Sequence, residues 1–241
     1  MNGDNYGCLS SFDKTGNQRG IFLGTSFSAP LLARRIAEVE FLYGSKIENS
    51  ETLKAISIAS TSRTLKNCVG YGETAYFSYC DRKHTLIVSE GSLKLPYTSK
   101  PSFRIESSAE IELEIPDTVK TIEMILVHSD NGSRSSNPSL NTYLTVRTKK
   151  RGRPSSYVGF VNSNENSKKS HIKWYKWEFK RKSMESTWTF TIKSDVTADM
   201  IEDHKKEIII RYGCVFLLTA RAHARDSLTE DVKKLMFDKI E

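Results

Sequence analysis

Apolar and polar residues alternate along this chain with two different periods, and the change falls near residue 85. Before it the spacing is helical. Leu32, Ile36, Val39, Leu42 and Tyr43 recur at three- and four-residue intervals, which predicts a helix over 29–43 with Gly44 just past its end. Leu53, Ile56 and Ile58 predict a second helix from Ser50 to about Ala59, with Asn49 or Ser50 as N-cap. After residue 85 the period becomes two. Ala109, Ile111, Leu113 and Ile115 alternate with Glu110, Glu112 and Glu114, the pattern of a half-buried strand with a wet acidic face. Further strands are predicted over 121–128, 142–147, 172–180, 187–193, 207–212 and 214–220, and a terminal helix over 227–239. Short strands without long helices between them predict an antiparallel sandwich or jelly roll. The expected organisation is thus an α/β segment over 1–85 and an all-β domain over 86–241.

Composition narrows the class. The 241 residues are 38% hydrophobic and 10% aromatic, enough for packed cores and too much for a disordered chain. With 13 Gly and 6 Pro, collagen-like and low-complexity classes are excluded. A membrane-spanning helix needs about 20 apolar residues in a row. The densest run, Ile208 to Ala220, is broken by Arg211, so no membrane association is expected. Cys8, Cys68, Cys80 and Cys214 share no CxxC spacing, which argues against zinc and for reduced thiols, and neither cofactor nor metal is expected. The net charge of +7 is concentrated: 145–182 holds 12 basic and 2 acidic residues, a local +10, leaving about −3 elsewhere. This segment is expected to form one exposed face of the β-domain.

One stretch carries chemistry. Gly24-Thr25-Ser26-Phe27-Ser28-Ala29-Pro30 opens the first helix. Gly24 lets backbone and substrate approach closely. Ser26 sits where free N–H groups and the positive helix end favour a developing oxyanion. Pro30 presets the helical turn. A serine before a helix is ordinarily only a cap, but a cap explains neither Gly24, Thr25 nor Pro30. The stretch resembles the active-site serine motif of the subtilisin-like proteases. Leu53-Lys54-Ala55-Ile56, ending in Ser60-Thr61, and Gly70-Tyr71-Gly72 are similar to the elements that follow that serine in the family, so the resemblance covers about 15–85. It implies a serine endopeptidase acting on protein or peptide substrates, with Ser26 as nucleophile and Gly24, Thr25 and Pro30 supporting it.

The family's triad runs Asp, His, Ser along the chain. No histidine precedes Ser26; His84, His128, His171, His204 and His223 all follow it. Asp4 and Asp13 lack the family's context, and Asn2, Asn5 and Asn17 lie too near Ser26 for its oxyanion asparagine. The chain is therefore expected to be the C-terminal portion of a subtilase, inactive alone, with the Asp and His outside it. Related subtilases pair with an AAA-type ATPase inside cells. The resemblance and the lack of disulfide spacing together favour a cytoplasmic protein, with secretion as the alternative. The reading from another class is a non-enzyme: an inactive or truncated subtilase whose basic β-domain binds protein or nucleic acid.

Other motifs weigh less. Ser11-x-x-Lys14, Lys14-Thr15-Gly16 and Ser129-Asp130-Asn131 mimic the three motifs of penicillin-binding enzymes, but two of them share Lys14. Lys150-Arg151-Gly152-Arg153-Pro154 is similar to the AT-hook core, which splays two arginines along a narrow minor groove, so nucleic acid would be met through Lys149 to Arg153. The plainer reading is a solvated strand-to-strand loop. Asn131-Gly132-Ser133 and 13–17 read as turns.

Overall fold

The computed structural model describes residues 9–12, 18–22, 25–43, 47–60, 84–95, 107–130, 142–150, 153–155, 171–179, 186–196, 208–224 and 227–231. A hairpin of β1 (Leu9–Phe12) and β2 (Gln18–Phe22) precedes two helices, α1 (Thr25–Tyr43) and α2 (Ser50–Ala59). The other strands are β3 (His84–Leu95), β4 (Ser108–Ile115), β5 (Val119–Asp130), β6 (Thr142–Lys150), β7 (Arg153–Ser155), β8 (Ile172–Glu178), β9 (Ser186–Val196) and β10 (Ile208–Ala220). They form two antiparallel sheets, ordered β3-β10-β5-β8 and β4-β9-β6-β7. The pairs are nested: β3 with β10, β4 with β9, β5 with β8, β6 with β7. That is one long hairpin rolled into two layers, the connectivity of a jelly roll.

The layers meet through an aromatic core. Tyr175 and Trp177 of β8 and Trp188, Phe190 and Ile192 of β9 come from opposite sheets and share one interior. Trp177 meets Phe190 edge-on at 5.4 Å, and Phe190 packs on Phe216 of β10 at 4.8 Å. On β4, Leu113 and Ile115 are buried while Glu110 and Glu112 are exposed, the alternation expected from the sequence.

The first sheet is apolar on its other face as well. There Ile125, Val127, Trp174 and Val215 receive Ala55, Ile56, Ile58 and Ala59 of α2, and Val39 of α1 joins the same cluster. The first sheet is therefore a middle layer, with the second sheet on one side and α2 on the other. This double burial explains why β10 reads as an almost unbroken apolar run.

Several sequence expectations change. The strands expected over 207–212 and 214–220 merge, from Ile208 on, into one strand, β10, which passes through Gly213 without a turn. A Cβ at Gly213 would overlap the backbone nitrogen and Cα of Thr52, so the glycine admits a helix backbone. The first helix begins at Thr25 rather than Ala29. Its expected buried stripe is only partly buried: Val39 is inside, but Leu32 is 41% exposed. Among the described residues of the basic segment, β6 and β7 belong to the second sheet and β8 to the first, so they are not one sheet face. Within it Lys173 is only 2% exposed. Residues 228–231 are helical; the rest of the expected terminal helix, Gly44, the 70–72 motif and the turns at 13–17 and 131–133 lie outside the described residues. Among the described residues no helix is long and apolar enough to cross a membrane.

Candidate active site at the head of the first helix

Ser26 is the second residue of α1, and Thr25 is the first. The amide groups of a helix's first turn have no acceptor within the helix, and they form its positive end. An oxygen anion developing at residue 26 would meet that field. Pro30 stands inside the helix. At an ordinary residue 30, the backbone N–H would bond the Ser26 carbonyl; proline has no N–H to give. The helical ladder thus skips the Ser26 carbonyl, a feature that an expected helix start at Ala29 concealed. Gly24 lies outside the described residues.

From Ala29 on, most described side chains of α1 are exposed. Ala29, Pro30, Leu32, Ala33 and Ala37 are exposed and Phe41 is 90% exposed, with Arg34 and Glu38 paired at 3.0 Å on the same helix. Val39 turns inward onto α2. α1 is thereby joined to α2 and the sandwich at Val39, thirteen residues on from Ser26.

The seating of α2 uses a residue that local sequence reasoning missed. Asn49 occupies the N-cap position of α2, yet its side chain makes no capping bond. The carboxylate of Glu90, on β3, instead holds the residues that lead into the helix. It accepts the Glu48 N–H at 2.8 Å, the Asn49 N–H at 3.2 Å and the Thr52 hydroxyl at 2.6 Å. Beside it the Ser129 hydroxyl donates to the Glu51 carboxylate. No local signal in the sequence could have paired 90 with 48–52.

The β-domain also buries titratable groups. Glu123 is 6% exposed and accepts Trp174 Nε1 at 3.0 Å, with Lys176 Nζ at 3.7 Å. His128 is buried and its ring stacks on His171 at 4.6 Å. The His128 N–H donates to the His171 carbonyl at 3.0 Å. The signal was parity: His128 follows Ile122, Met124 and Leu126 on the interior face of β5. None of the five histidines lies on α1 or before it.

Burial lowers the Lys173 ammonium to about 8. A lysine that loses its proton more readily when folded makes the fold less stable below pH 8, and that cost fades as pH rises toward the unfolded value of 10.5. Cys214 acts in the opposite sense. Burial raises its thiol well above 9.0, so its contribution falls as pH rises past that value. The comparison of Lys173→Met with wild type isolates the lysine. The variant is expected to gain about 2–3 kcal/mol near pH 7 relative to its advantage at pH 10. Urea unfolding across that range checks it; a difference that stays flat with pH would contradict the assignment.

Of the 149–154 stretch, Lys150 of β6 pairs with Arg153 of β7 and Lys149 with Pro154, while 151 and 152 lie outside the described residues. β7 is an edge strand, a position that tolerates a proline.

No family model matches the chain, and no curated protein matches it. Among solved structures, the infectious bursal disease virus Gt strain is 8% identical to it, with a TM-score of 0.13. The match covers 58% of this chain and 41% of the viral one. A likeness at that level carries no argument about fold or function.

Proposed function

We propose that this chain carries the nucleophile of a subtilisin-type serine endopeptidase. The observation that supports the reading is the run from Gly24 to Pro30 at the head of α1, with Ser26 in its first turn. In this reaction Ser26 Oγ forms a bond to the scissile carbonyl carbon and gives its proton to an imidazole. The carbonyl oxygen becomes an oxyanion that the Ser26 N–H helps to hold. The imidazole then protonates the leaving amine as the C–N bond breaks, and water hydrolyses the acyl-enzyme. On this reading the imidazole and its orienting carboxylate come from outside these 241 residues. A protein or peptide substrate, an AAA-type ATPase partner and a cytoplasmic site of action belong to the same proposal.

The test is peptide hydrolysis by the 241-residue chain alone and by the polypeptide translated with the residues encoded upstream in frame. Hydrolysis is expected only for the second. Activity of the chain alone would overturn the division of the triad.

A further inference from the structure

The seat of α2 is built from three neighbouring strands. Glu90 of β3 and Gly213 of β10 are direct partners in the sheet, and β5, on the other side of β10, supplies Ser129. Glu90 brings a negative charge to the positive end of α2 and satisfies two backbone N–H groups that the helix cannot. Gly213 leaves the space that Thr52 fills. Ala55, Ile56, Ile58 and Ala59 then close on Ile125, Val127, Trp174 and Val215, and Val39 attaches α1 to the same cluster. Polar cap, steric gap and apolar seal agree on one position for the helix. Flexible attachment of an accessory domain would require none of them.

We infer that the outer face of the first sheet is a docking seat by which the β-sandwich fixes, within one chain, the helix pair that bears Ser26, with Glu90 as the positioning residue. The part of this inference that concerns Ser26 rests on the function proposed above. The seat itself does not. The sandwich then acts as a rigid support for the catalytic turn. Removing one carboxylate oxygen some distance from the serine is expected to loosen the serine's setting.

Glu90→Gln keeps the side chain's size and removes its charge and one acceptor. Hydrogen exchange is read on the whole chain. Amides in 53–59 and 33–42 are expected to exchange roughly ten- to a hundredfold faster, the worth of hydrogen bonds to a charged group. Core amides of β5 and β10 should stay within about threefold of wild type. Gly213→Ala, which forces α2 off the sheet by contact rather than by charge, is expected to give the same pattern. Unchanged exchange in both variants, or an equal rise throughout the sandwich, would overturn the seat. In the polypeptide that includes the upstream residues, Glu90→Gln is expected to lower kcat for a small peptide about tenfold and leave KM within twofold. Faster exchange with unchanged kcat would leave a purely structural seat and overturn the positioning role. Exchange needs no catalysis, so failure of the protease reading and failure of the seat give different results.

Discussion

Ser26→Ala is expected to abolish peptide hydrolysis in the polypeptide that carries the upstream residues, while Ser28→Ala retains it. In subtilisin, loss of the nucleophile alone costs roughly 10⁶ in turnover, about as much as loss of the whole triad, because the three residues act as one unit. The same factor is expected here if Ser26 forms the acyl-enzyme. The residual rate should be the part that oxyanion stabilisation and binding supply without a nucleophile. Ser28, two residues on in the same turn of α1, has the same functional group and serves as control for chemistry. Rates that fall equally in both variants would mean that the turn, not the Ser26 hydroxyl, is what matters. Hydrolysis that survives in Ser26→Ala would remove the proposal.

The largest loss of stability is expected from Phe190→Ala. Phe190 is fully buried at the meeting of the two sheets. Its ring lies 5.4 Å from Trp177, 6.2 Å from Trp188 and 4.8 Å from Phe216, so the deletion empties a space walled by three rings that cannot close over it. Truncations of this kind cost about 3–5 kcal/mol, the transfer of the lost atoms plus the cavity they leave. For a chain of this size that corresponds to a fall of roughly 10 °C or more in Tm. Trp188 and Trp177 provide the signal: their fluorescence should report the same transition as circular dichroism. A loss below about 1 kcal/mol would show that this interior is not the sandwich's core.

The contrast between β4 and β10 explains how far the sequence could be read. β4 faces the interior with one side and water with the other, so its alternation survives in the residues themselves. β10 is covered on both faces, which erases the alternation, and its one glycine reads as a break. The glycine is required by the helix that lies against it, and that helix is 161 positions away in sequence, from Gly213 back to Thr52. β3 was missed for a related reason. Leu86 packs beneath the helices, so Leu86-Ile87-Val88 carries no period of two. The β1–β2 hairpin carries no periodic signal, because its glycines and polar residues outweigh its short apolar content. Asn49, one of the two expected N-cap residues, holds that position, but the side chain that ties down the start of α2 is 38 to 42 residues away, in Glu90. Lys173 was taken for a surface charge because nothing in a single sequence shows which strand will cover it. The Gly24–Pro30 motif, by contrast, is local, and the sequence reveals it without any tertiary contact.

The most direct measurement is the site of covalent modification by a fluorophosphonate probe. The polypeptide that includes the upstream residues would be treated with the probe, digested and mapped by mass spectrometry. Modification on Ser26, absent in Ser26→Ala and suppressed by a competing peptide substrate, is the predicted result. Modification at another serine, or none in a folded protein that hydrolyses peptides, would contradict the account.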